Sequence, residues 1–77
     1  MQRHLAEFVF DEPEVEIGRR ISTEINKLVR HPAIRGIHTN GYDGKWRLRV
    51  KFDDRTNEAW IREQLNKIFD AAKPQER

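Results

Sequence analysis

The chain has 77 residues, 36% of them apolar and 36% charged, which is one domain able to bury only about 60–65% of its unfolded surface. It has no cysteine, which excludes disulfides, thiolate metal sites and a thiol nucleophile. Small secreted domains are usually disulfide-dense, so a reducing, cytoplasmic setting is expected. Its net charge of +2 is modest, and no apolar run approaches the ~18 residues of a membrane span.

The start, Met1-Gln2-Arg3-His4, lacks the apolar stretch of a signal peptide and is expected to fray. Leu5 to Phe10 is short, aromatic and β-branched, and reads as a first strand. Asp11-Glu12-Pro13-Glu14 then opens a helix. Asp followed three residues later by Glu suggests a capping box, and proline is tolerated in a first turn, where its missing N–H would be unpaired. Ile17, Ile21, Ile25, Leu28 and Val29 recur at helical spacing, so the helix buries one face. His31-Pro32 stops it, because the residue before proline is pushed out of the α region.

Ile34 to Thr39 reads as a second strand, weakened by Gly36. Asn40-Gly41-Tyr42-Asp43-Gly44 is expected to be a hairpin loop of three to five residues with Tyr42 at its tip. From Lys45 to Phe52, Trp46, Leu48, Val50 and Phe52 alternate strictly with Lys45, Arg47, Arg49 and Lys51. That pattern is a strand with one face in the core and one in water. Asp53-Asp54-Arg55-Thr56 is expected to end it and cap a second helix, whose stripe is Ile61, Leu65, Ile68, Phe69 and Ala72. Pro74 follows, and residues 74–77 are expected to fray.

Two amphipathic helices need an apolar surface, and one face of a three-stranded sheet supplies it. The expected fold is an α+β two-layer sandwich of order β-α-β-β-α. Its sheet is antiparallel in order 1-3-2, ferredoxin-like without the last strand. Between Leu28 and Phe69, a helix, a strand ending in Gly, an alternating strand ending in Phe-Asp and an amphipathic helix follow one another. That succession resembles the heavy-metal-associated domain. The family's metal loop depends on a Cys-x-x-Cys between the first strand and helix. This chain carries Asp11-Glu12-Pro13-Glu14 there, which excludes copper binding of that kind.

Charge is unevenly distributed. Residues 31–52 hold five cations (Arg35, Lys45, Arg47, Arg49, Lys51) and one anion, Asp43. The remainder is slightly acidic, an asymmetry that bears on partners and not on fold. Lys45, Arg47, Arg49 and Lys51 would project from one face at ~6.6–6.8 Å intervals, joined by His38 if Ile37 points inward. Glu7 would neutralise part of that face. Two readings compete: a functional basic surface, or a solvated strand kept polar for solubility. Trp46 and Phe52 take the apolar phase, so the basic face lacks the stacking aromatics of sheet-based RNA binders. Trp60 flanks the second helix's apolar stripe and reads as a lid over the core. His4, His31 and His38 have no metal-like spacing.

No phosphate loop, dinucleotide fingerprint, zinc-protease motif or nucleophile elbow is present. The expectation is therefore a non-catalytic binding module without a cofactor. Arg35, His38, Tyr42, Lys45, Arg47, Arg49 and Lys51 are its candidate partner-binding residues. The leading partner is a protein with an acidic surface, the module acting as an inhibitor, adaptor or antagonist. The alternative is non-sequence-specific binding to a nucleic-acid backbone. The free edge of the first strand also offers a route to a homodimer.

Overall fold

The computed structural model describes residues 2–72. The elements are β1 (Arg3–Asp11), α1 (Val15–Val29), β2 (Ile34–Tyr42), β3 (Lys45–Asp53) and α2 (Glu58–Ala72). β3 is central and antiparallel to both neighbours, in sheet order β1-β3-β2. Both helices pack on one face of the sheet, giving the small α+β domain expected from the periodicities. Met1 and residues 73–77 lie outside the described residues, so the expected C-terminal fraying and the stop at Pro74 fall there. Arg3 and His4, placed in a frayed start by the sequence reading, belong to β1 and pair with Asp53 and Phe52.

The core lies between the sheet and the helices. Ala6 and Phe8 of β1 meet Leu48, Val50 and Phe52 of β3 there, together with Ile21 and Ile25 of α1 and Ile61, Leu65 and Phe69 of α2. Alternation dictates which strand residues enter, since successive side chains point to opposite faces. Phe10 stacks on Phe69 with ring centroids 4.0 Å apart, and Trp46 meets the same ring edge-on at 6.1 Å. Trp46 also leans on α1 where Gly18 leaves room. A Cβ at Gly18 would stand 3.2 Å from the Trp46 ring, so the missing side chain lets helix and sheet approach. Trp60 packs against the core cluster as a partly buried lid, beside His31 at 4.8 Å.

Three local details depart from the sequence reading. Asp11 does not cap α1: it is the last residue of β1, opposite Lys45, and Glu14 stands at the N-cap without a side-chain cap bond. In the strand Asp11 lies directly across from Lys45, which is also its ion-pair partner. The hairpin turn is two residues, not three to five. Asp43 and Gly44 have φ of 53° and 72°, the positive values of a type I′ turn whose twist matches the flanking strands. Asn40 and Gly41 therefore stay in the ladder opposite Arg47 and Trp46. Finally, α2 is capped by Asn57, whose Oδ1 accepts from the Trp60 N–H at 2.8 Å. Asp53 and Asp54 lie before that cap and serve other partners.

Candidate functional site

The sheet face away from the helices is open. β3 contributes Lys45, Arg47, Arg49 and Lys51 to it, all exposed. The register sets Tyr42, Asn40, His38 and Gly36 of β2 beside them on one side. On the other side stand Asp11, Val9, Glu7 and Leu5 of β1. Ile37 packs against the core, so His38 shares this face as its phase required. Tyr42 does not sit at a loop tip. The two-residue turn leaves it as the last residue of β2, opposite Lys45 and 65% exposed, so it stands with the basic row.

Two carboxylates interrupt the basic row. Glu7 accepts from Arg49 Nε at 3.3 Å and from Arg47 Nη1 at 3.4 Å, and Asp11 pairs with Lys45. All these side chains are substantially exposed, so each pair contributes little to stability. Their effect is on the potential of the face, which becomes mixed at the hairpin end and stays positive toward the other end of β3. Lys51 has no carboxylate within ion-pair distance among the described residues. Lys51, Arg49, His38 and Arg35 surround a shallow depression of about 360 Å³ with Leu5 on its wall. Its floor is Gly36, where a side chain would meet nothing within 4 Å.

Arg35 reaches this rim because the β2 ladder shifts register between Ile34 and Gly36. A bulge of that kind re-aims a side chain that strict alternation would place otherwise. Arg35 Nη2 lies 3.3 Å from Asp53 Oδ2, so it is shared between the face and a buried clasp. Asp53 is 1% exposed and accepts from Arg55 through Nη2 at 2.7 Å, Nε at 3.1 Å and the backbone N–H at 2.9 Å. Arg55 in turn donates to the Pro32 carbonyl at 2.6 Å. The Arg55 side-chain and backbone donors, with Arg55 and Arg35 charge, hold the Asp53 carboxyl at about 2 against an ordinary 3.8, outweighing its desolvation. The clasp joins the α1–β2 and β3–α2 connections. A second tie links His4 Nε2 to Asp54 at 2.6 Å, and this bond leads the causes that lower the Asp54 carboxyl.

Leu5 and Val9 were not singled out by sequence reasoning, yet they are 62% and 51% exposed on the open face. The signal was available. With Phe8 and Phe10 facing the helices, the alternate positions of β1 must face outward. Among the described residues, no group of three or more His, Asp or Glu side chains is placed to hold a metal, and no helix is long and apolar enough to cross a membrane. The sequence matches no protein-family model and no curated protein.

Proposed function

We propose that the chain is a small non-catalytic cytoplasmic binding module that docks an acidic protein segment on its open sheet face. The observation that carries this reading is the mixture on that face. Aliphatic Leu5 lines a depression rimmed by the basic side chains Arg35, His38, Arg49 and Lys51, and Val9 stands farther along β1 on the same face, opposite Arg47. A protein interface needs desolvatable apolar area to hold and charge to steer; a phosphate backbone needs only charge. An acidic side chain entering over Gly36 would meet several donors at once, while aliphatic neighbours on the same segment would cover Leu5 and Val9. Such a module is of the inhibitor or adaptor type, acting by occupying a surface.

The test titrates the protein into labelled acidic peptides with aliphatic residues between the carboxylates, and into labelled oligonucleotides, at low and physiological salt. Support would be peptide binding that the Arg49→Glu/Lys51→Glu pair abolishes and that Leu5→Ala with Val9→Ala weakens. Oligonucleotide binding with a log-log salt slope near about −3.6, the value for four neutralised duplex phosphates, and indifference to Leu5 and Val9 would move the function to nucleic acid.

A further inference from the structure

β1 is an edge strand, and its outward pattern is complementary to itself. The two-residue turn makes Tyr42 and Lys45 the hydrogen-bonded closing pair, so the odd-numbered residues of β3 bond toward β2 and the even-numbered ones toward β1. Two bonds agree with that phase: Asp53 N–H donates to Ala33, and Glu12 N–H donates to Gly44, the pair that follows Asp11–Lys45. In β1 the even residues therefore bond to β3. The N–H and C=O of Leu5, Glu7 and Val9 point out from the sheet edge, as donors and acceptors for another strand.

A second β1 laid antiparallel across this edge must pair odd residues with odd residues. With the two-fold through Glu7, Leu5 of one copy faces Val9 of the other, and Val9 faces Leu5. This sets the two most exposed aliphatic side chains of the sheet side by side in cross-strand contact. The same register sets Arg3 against Asp11 at both ends. On the helix side it sets small Ala6 against large Phe8. The one like-charge meeting is Glu7 with Glu7. Each of these already lies between Arg47 and Arg49 at 3.3–3.4 Å, so two carboxylates would be surrounded by four guanidinium groups. Shifting the register by two residues in either direction places Glu7 against Leu5 or Val9 and loses this complementarity.

We infer that the chain pairs with a second copy through β1 in this register, forming one six-stranded sheet of order β2-β3-β1-β1-β3-β2. The two-fold stands perpendicular to the sheet, so the helices of both copies remain on one side. The open faces join, and the two basic rows run antiparallel about 14 Å apart, three strand spacings.

Amide hydrogen exchange followed by NMR over a concentration series, alongside sedimentation, tests this without any acidic ligand and so independently of the proposed docking. A dimer at submillimolar concentration is expected, with exchange at the Leu5, Glu7 and Val9 amides slowing about tenfold or more as it forms. Ala6 and Phe8, bonded to β3, should be protected at every concentration. Leu5→Lys with Val9→Lys should sediment as a folded monomer, as should Leu5→Glu with Val9→Glu, and mixing the two should restore a dimer. A wild-type chain that stays monomeric would overturn the inference. So would a dimer whose Leu5, Glu7 and Val9 amides exchange rapidly, or one that survives the double lysine substitution.

Discussion

Two carboxylates of this domain each lie between two arginines, and they do different things. Asp53, 1% exposed, is held by Arg55 through bonds as short as 2.7 Å and is backed by Arg35. Glu7, 39% exposed, touches Arg47 and Arg49 at 3.3–3.4 Å in the open. Composition is the same at both places; desolvation and the added backbone donor make the difference. Out of water, an ion pair is strong only because every lone pair is satisfied, and removing one partner leaves a costly charge behind. In water, the pair mostly sets the local potential. The first site is architecture; the second tunes what the surface attracts.

Breaking the buried member should give the largest effect. Asp53→Asn keeps the shape but leaves Arg55 and Arg35 without their counter-charge, and the urea midpoint should fall well below wild type. The same contrast can be driven by acid. The folded carboxyl of Asp53 is lowered from 3.8 to about 2, so its contribution is present above pH ~4 and is lost as pH falls through about 2. Urea midpoints across that window should drop more steeply for wild type than for Asp53→Asn. If the two curves ran parallel, Asp53 would not be the linked group.

Arg55→Lys should fall between the extremes. It retains the charge but loses the planar fork and the bond to the Pro32 carbonyl, lowering the midpoint by less than Asp53→Asn. Glu7→Gln should change stability by less than about 1 kcal/mol in denaturant titration. Its effect should appear in association instead. Releasing Arg47 and Arg49 makes the face more positive, so an acidic peptide should associate faster, and the gain should shrink as salt is added.

The order of elements and the sheet topology were legible in the sequence because both helical stripes and the β3 alternation are uninterrupted. Local boundaries were less so where one residue type had two uses. Asn40-Gly41 and Asp43-Gly44 are both turn pairs, and only the pairing of Tyr42 with Lys45 decides which one bends. Asp11 could cap a helix or end a strand, and it ends the strand, paired in the ladder with Lys45. For the candidate site, the basic row and His38 could be placed by phase alone. The burial of Asp53 could not, because alternation assigns it to solvent. Only the bulge that turns Arg35 and the return of Arg55 over the strand end cover it.

The central place of β3 also governs how the chain must be assembled. Its hairpin partner β2 is adjacent in sequence, and such hairpins close in about 1–10 μs. Its other partner is far away: Glu7 and Arg47 are 40 positions apart. During synthesis at about 5–20 residues per second, β1 leaves the ribosome several seconds before the strand that will cover it. Through that interval Phe8 and Phe10 have no sheet to join. Glu7 and Asp11, set immediately before and after the Phe8–Phe10 stretch, are charges of the gatekeeper kind that disfavour mispairing of a waiting hydrophobic segment.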